Sequence, residues 1–412
     1  MQNPASSKRT LILVFFTIFI DLIGFGIIIP IQPFFAEKLG ASPTVVTMLG
    51  ASFSLMQFLF AHFWGRLSDR IGRKPVMLIS IGTTAVGYAI FGFAHSLEVL
   101  FFARMLAGFG SANIGAAQAI IADSTDEKNR AKGMGLIGAA FGLGFIFGPA
   151  LGGLFGQLSL SAPAFAAAAL SSLNWIFALF YLPETNPPEK RGKAIRHGFS
   201  LKELKYAARH LNVPQLFAVY FIYSVSFSMM EQSIGLFIAK NWVPPAFEIG
   251  IDIHAKKAAE LTSYMLIMVG VTATIVQGGL IGHLAKRFAE RKLLITGLFL
   301  ITLTLIAMPF IGMTQIFSLL LVNSVFMAMG TGFTNPSLSS LLSQSVERDE
   351  QGAALGLGQS LSGLGRVIGP AMSGALFEFH SGTPFWFGAL IMAAAVFVSL
   401  SLKPAAANLT KS

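Results

Sequence analysis

Twelve stretches of roughly twenty or more mostly apolar residues follow one another along the chain, and few folds are open to a sequence built this way. They lie near 10–35, 44–64, 75–95, 97–121, 132–158 and 163–182, then 212–240, 259–283, 292–312, 315–343, 350–378 and 383–402. A helix of about twenty such residues crosses the hydrocarbon core of a bilayer. Lipid offers the backbone no hydrogen bonds, so each stretch is expected to be a helix. The ten-residue alternation of a membrane β-barrel is absent. Composition agrees, since only 12% of the 412 residues are charged, against about 25% in soluble domains. Mean hydropathy is +0.68. The expected fold class is an all-α polytopic membrane protein.

Lys8 and Arg9 ahead of the first apolar run mimic a signal peptide. That run is too long for an h-region, contains Asp21 and lacks a small-residue cleavage site close behind it, so it is expected to be a retained span. The net charge of +10 is a topology signal and not a footprint for nucleic acid. With both termini cytoplasmic, only Lys38, Lys240, Lys256 and Lys257 fall outside, and Arg104 and Arg366 fall within spans. Every other Lys and Arg lies on the cytoplasmic side, as the positive-inside rule requires. The chain has no cysteine, so disulfides and thiolate metal sites are excluded. The seven histidines form no metal-binding motif and no P-loop is present, so no metal and no direct use of ATP is expected.

The spans divide into two sets of six. Residues 183–211 form the longest polar connection, read as a cytoplasmic linker with a short amphipathic helix at 200–210. Its basic residues would also suit anionic lipid headgroups. The domains expected are 1–182, a first six-helix bundle, and 212–412, a second. The halves share a pattern. Gly135, Gly144, Gly148, Pro149 and Gly153 of span five match Gly356, Gly365, Gly369, Pro370 and Gly374 of span eleven at an offset of 221. "GFGSAN" at 108–113 and "GTGFTN" at 330–335 agree more weakly. Repeated six-helix halves are the architecture of alternating-access carriers.

Four ionisable groups fall well inside spans: Asp21, Arg104, Glu231 and Arg366. Each costs at least ~2.5–3.5 kcal/mol to bury, so each needs a partner or a wet cavity. At the helical rise, Asp21 and Arg104 stand roughly 17 and 26 Å from the cytoplasmic ends of their spans, and Glu231 and Arg366 roughly 28 and 24 Å. Two pairs are therefore expected, Asp21–Arg104 and Glu231–Arg366. Asp21 is the first candidate for a proton-carrying carboxylate, because desolvation and a nearby arginine pull its proton affinity in opposite directions. The plainer reading, static structural ion pairs, stays open. Gln57, Asn113, Gln118, Asn174, Gln232, Gln277, Asn323, Asn335 and Gln359 are candidates to line a substrate cavity, although such amides also bond simply across helices. Phe217, Tyr220, Tyr223 and Phe227 recur at helical spacing in span seven. They either face core and lipid or line an aromatic pocket.

"GRLSDRIGRK", joining spans two and three, is the most charged stretch of the first half. Arg66, Arg70 and Lys74 are explained as well by positive-inside as by function. Asp69 is not, because an acidic residue does not serve that rule. Gly72 permits a tight turn and Gly65 a close helix approach, while Asp123, at the inner end of span four, is expected to meet Arg73. In span five Gly144, Gly148 and Gly152 fall on one stripe that lets backbones pack closely, and Pro149 bends the helix.

These motifs resemble the major facilitator superfamily over essentially the whole chain. Gly65, Leu67, Asp69, Arg70, Gly72, Arg73 and Lys74 meet its loop signature G-x-L-a-D-r-x-G-r-k. "DLIGFGIIIP" (Asp21, Gly24, Pro30), "RMLAGFGSA" from Arg104, and Gly135 to Gly153 resemble motifs of its drug:proton antiporters, span one and the loop most nearly those of the tetracycline/proton branch. Ala107 stands where a Gln is common. In the second-half loop, "GHLAKRFAERK", Lys286 replaces the Asp and Ala289 the second Gly, so a weaker latch is expected there. The resemblance implies twelve helices in two pseudo-symmetric bundles around a central cavity. It also implies a latch in which Asp69 faces the start of span eleven. The implied function is export of a largely apolar small molecule driven by the proton gradient, by a monomer in the cell inner membrane with no cofactor. A proton-coupled importer, a carrier of lipid-like substrates and a non-transporting receptor on the same fold stay open.

Overall fold

A computed structural model of the chain describes residues 4–125, 127–191, 211–347 and 350–403. Most of the linker, including the helix expected at 200–210, lies outside the described residues. Among the described residues the secondary structure is helical, without strands. The first six spans are α1 (Pro4–Ile28), α3 (Pro43–Ile71), α4 (Arg73–Gly92), α5 with α6 (Leu97–Gly110, Ile114–Ser124), α7 (Glu127–Gly156) and α8 (Ala162–Tyr181). A short α2 (Gln32–Lys38) follows α1. The second six are α9 (Val213–Trp242), α11 with α12 (Ile251–Ile275, Ile281–Leu284), α13 (Glu290–Thr314), α14 (Phe317–Gln344), α15 (Gln351–Phe379) and α16 (Thr383–Leu400), with the short α10 (Ala246–Ile249) ahead of α11.

Eleven of these helices are long and apolar enough to cross a membrane by length and composition. The glycine- and serine-rich α15 is not among them, although its 29 residues would reach about 43 Å at the helical rise.

Local chemistry sets several boundaries. Span one was expected to run unbroken to residue 35, but α1 stops at Ile28. Pro30 lacks an N–H and disfavours helix at the residue before it, and Pro33 then sits in the first turn of α2. Ser42 and Ser96 cap α3 and α5, accepting from the N–H of Val45 and Val99, both at 3.4 Å. The loop signature is mostly helix. α3 continues two turns past Trp64 with Arg66 and Arg70 exposed and Ser68 and Asp69 buried, and the chain turns only at Gly72, φ 109°.

Span four breaks at a 3₁₀ turn, Ser111–Asn113. Neighbours take up the carbonyls there. Trp64 Nε1 donates to Phe109 O at 2.6 Å, Ser80 Oγ to Gly110 O at 2.5 Å and Gln57 Nε2 to Ser111 O at 3.2 Å.

Two compact units emerge: Met1–Arg196 with Ser233–Val271, and His197–Gln232 with Thr272–Ser412. In the first, α1 lies backbone to backbone on the glycine stripe of α7. A Cβ on Gly26 would stand 2.9 Å from Gly144 O, one on Gly148 2.6 Å from Gly26 Cα, and one on Gly152 2.5 Å from Ile27 O. In the second, the matching glycines of α15 meet α9. A Cβ on Gly365 would lie 2.8 Å from Ser224 Cβ, and one on Gly369 would strike Ser228 and Val225. The two units thus repeat one packing solution, as the 221-residue offset implied. The first unit also holds a polar clasp at the end opposite the basic loops. Lys38 Nζ pairs with Asp252 Oδ1 at 2.7 Å, Gln157 Nε2 donates to Glu260 Oε2 at 3.2 Å, and Lys256 Nζ reaches Leu158 O at 3.4 Å.

Gly148→Val places three carbons where backbone atoms of α1 now lie. It is expected to cost about 1–3 kcal/mol, typical of overpacking, read as a lower midpoint of thermal unfolding in detergent. Val in place of the half-buried Ala150, off the stripe, should leave the midpoint near that of the parent.

Candidate functional site

Asp21 on α1, Tyr88 on α4, Arg104 on α5 and Ser171 on α8 carry polar side chains into the interior of the first unit. Glycine spacing brings them together, since a Cβ on Gly24 would lie 3.2 Å from Ser171 Oγ and 3.3 Å from the Tyr88 ring. Tyr88 is within electrostatic reach of both Asp21 and Arg104. The expected direct pair differs from the geometry. No ion pair joins Asp21 to Arg104 among the described residues. The guanidinium lies 4.3 Å over the Phe53 ring instead, which compensates part of its charge through the π face.

This group is unsatisfied. Asp21 Oδ1, Tyr88 OH, Arg104 Nε and Nη1, and Ser171 Oγ are all buried without a hydrogen-bond partner. Each such atom costs about 1–3 kcal/mol. The arrangement suits a site where water, a proton or a substrate atom arrives and leaves. Sequence reasoning missed Tyr88, Phe53 and Ser171. A lone tyrosine in the middle of span three was the available signal, because its hydroxyl needs a partner there.

The second unit holds a looser counterpart. Glu231 on α9 and Arg366 on α15 interact electrostatically without an ion pair, and the Arg366 side chain is exposed. Tyr223 is buried and within electrostatic reach of both charges. Tyr220 OH meets Ser339 Oγ at 2.9 Å, and Tyr223 stacks on Phe227 at 5.8 Å. Phe217 is buried as well. Gln232 is half-buried one residue beyond Glu231.

The amides separate by use. Asn174 is fully buried and donates to Thr17 O at 2.9 Å, and Asn323 donates to Thr304 O at 3.2 Å, so both tie helices together. Gln57 is spent on the span-four break described above, where Asn113 is also buried. Gln118, Gln277 and Gln359 are exposed. Among the described residues no three His, Asp or Glu side chains converge as a metal site would need.

At the inner end of the first unit, Arg73 forks between two carboxylates. Its Nη1 donates to Asp69 Oδ1 at 2.5 Å and to Ser68 Oγ at 2.7 Å, and its Nε donates to Asp123 Oδ2 at 3.3 Å. Asp69 and Arg73 are buried, Asp123 partly open. Two donors in fixed geometry are what only guanidinium supplies. The second-half loop has no such fork. Lys286 and Ala289 are exposed, and Glu290 instead accepts from Ser340 and Gln344 on α14, both at 2.6 Å.

Arg73→Lys keeps the charge but reaches only one carboxylate. It is expected to destabilise the protein by about 1–3 kcal/mol through the bonds left unmade. Thermal unfolding in detergent measures this, and the corresponding Lys74→Arg change should leave the midpoint unaltered.

The chain is 35% identical to "Tetracycline resistance protein, class G" of Vibrio anguillarum over 375 residues, covering 90% of each chain. It is 31% identical to "Tetracycline resistance protein, class C" of Escherichia coli over 396 residues, 95% of each. Its fold matches the crystal structure of the human organic anion transporter MFSD10 (TETRAN) with a TM-score of 0.71 at 24% identity, over 97% of this chain and 100% of that one. The pattern of the Major Facilitator Superfamily matches residues 14–314 and 258–411. With its repeated halves, intramembrane charges and forked loop, the chain is a multi-pass membrane transporter and not an enzyme, and it belongs to the Major Facilitator Superfamily.

Proposed function

We propose that the chain exports a largely apolar small molecule in exchange for protons by alternating access, with Asp21 as the proton-carrying carboxylate. The observation that carries this reading is the group of buried, unpartnered polar atoms around Asp21, Tyr88 and Arg104. Tyr88 lies within electrostatic reach of Asp21, and no ion pair holds the Asp21 carboxylate among the described residues. A carboxylate so placed can gain and lose a proton without dismantling a salt bridge. Arg104, resting on Phe53, is free to turn toward a carboxylate that has lost its proton. Glu231 with Arg366 is the second candidate for the same work.

The names of the relatives support drug export. Tetracycline resistance proteins and "Multidrug resistance protein 2" of Bacillus subtilis (strain 168) align along 90% or more of this chain. The clasp of Lys38–Asp252 and Gln157–Glu260 supports alternation, since exposed pairs of this kind are worth only about 0–1 kcal/mol each and can open. The forked loop at Arg73 is the corresponding latch at the inner end. The protein works as a monomer in the cell inner membrane, both termini cytoplasmic, in contact with lipid and with no cofactor beyond the proton gradient.

Reconstituted vesicles in which the basic loops face outward test the reaction. An acid interior should drive accumulation of a transported compound, sought in a panel that begins with tetracycline, and dissipating the gradient should release it. Accumulation driven instead by an alkaline interior would mean symport and overturn the proposal.

A further inference from the structure

We infer that Glu184 and Asn186, where the chain leaves span six, are positioning residues of the transport cycle that seat the α3–α4 turn. The inference rests on the transporter reading above. α8 ends at Tyr181, and the next residues fold back over the turn and do not run directly into the linker.

Three consecutive side chains each grip a different part of the latch. Glu184 Oε1 accepts from Arg73 N at 2.9 Å and Asn186 N at 2.8 Å, while Oε2 accepts from Lys74 N at 3.2 Å. Thr185 Oγ1 donates to Asp123 Oδ2 at 3.2 Å, the oxygen that Arg73 Nε also holds. Asn186 Nδ2 donates to Ser68 O at 3.3 Å and Asp69 O at 3.1 Å, and its own carbonyl accepts from Arg191 Nε at 3.1 Å.

Elementary helix chemistry explains why these residue types stand here. α4 is preceded by Gly72, which offers no capping side chain, and no acidic residue lies in its first turn. Its opening residues are Arg73 and Lys74, two cations at the positive end of the helix dipole. Glu184 brings in from a distant part of the sequence the negative charge and the acceptors that the free N–H groups need. The last carbonyls of α3 need a donor, and the Asn186 amide supplies it. Acid at the helix start and amide at the helix end match both sets of unpaired groups.

Gly72 completes the fit. Its φ is 109°, and a Cβ there would strike the Glu184 carboxylate and lie 2.9 Å from Arg191 Nη2. The glycine thus admits the carboxylate as well as the turn. The consequence is mechanical. The Arg73 fork cannot rearrange while Glu184, Thr185 and Asn186 hold the backbone on both sides of it. Any movement of the latch therefore displaces the point where the chain departs for its second half.

The absence of native cysteine permits a test that needs no substrate. Gly115, whose Cβ would meet nothing within 4 Å, is replaced by Cys as a reporter. Its alkylation by a membrane-impermeant maleimide is then timed in otherwise unchanged protein and in Glu184→Gln, Asn186→Ala and Glu184→Asp. The first two should each change the rate by about fivefold or more, in the same direction, and Glu184→Asp should stay within about twofold. In transport the first two should lower turnover and leave KM unaltered. Rates for both within about twofold of the reporter parent would overturn the inference, as would a KM that rises in step with the loss of turnover. Should Glu184→Gln not fold, Thr185→Ala, which keeps the helix-end bonds, is expected to show the same effect more weakly, and an unchanged rate would count against it. A parent that moves no compound in vesicles defeats the export proposal while the alkylation result still decides this one.

Discussion

Charge inside hydrocarbon is the constraint from which the rest follows. Placing Asp21 and Arg104 within spans costs at least ~2.5–3.5 kcal/mol apiece on insertion scales. The surroundings return only part of that cost. Arg104 rests on the Phe53 ring, and Tyr88 is within electrostatic reach of both charges with its hydroxyl unbonded. A fold that merely needed stability would have closed this group into a salt bridge or replaced it with leucine. Leaving several polar atoms unmet is consistent with the proposal that a proton or a ligand reaches them during transport.

The remainder of the first unit holds these groups in place. Lipid supplies no hydrophobic drive between helices, so close packing and interhelical hydrogen bonds must do so. α1 carries Asp21, and it is fixed on one side by the glycines of α7 and on the other by the Asn174–Thr17 bond from α8. The second unit repeats the glycine contact, with Gly365 and Gly369 of α15 packed against α9, but leaves Arg366 exposed. Duplicated scaffolds thus carry differently finished sites. The inner end of the first unit follows the same economy, with one arginine holding two carboxylates and three residues after span six holding the turn that presents it.

Much of this was legible in the sequence because its signals are long or repeated. Apolar length located the eleven apolar spans to within a few residues at most ends, since helix length in a bilayer is set by hydrocarbon thickness. Periodic glycine announced a close backbone contact on α7, though not that α1 is its partner. Asp21 and Arg104 followed from charge appearing where charge is costly, and the Arg73–Asp123 contact from the charged loop and the acidic residue at the inner end of span four. The illegible features are those decided by three-dimensional neighbours. Arg104 chooses Phe53 over Asp21 because of how α3 and α5 face each other. The break at Ser111–Asn113 survives because side chains from α3 and α4 take its carbonyls. The π turn at Val276–Leu280 has no warning in its residues beyond Gly278 and Gly279. Glu184 looked like part of a linker because its partners lie more than a hundred positions away.

The claim at the centre of this account is that Asp21 exchanges a proton when substrate binds. Infrared difference spectra of purified protein, recorded as substrate is added, report that exchange through the carbonyl stretch of a protonated carboxyl group. A band of this kind should change in the parent and be missing from the same difference spectrum of Asp21→Asn. An identical carboxyl band in both proteins would assign the proton to another group and contradict that claim.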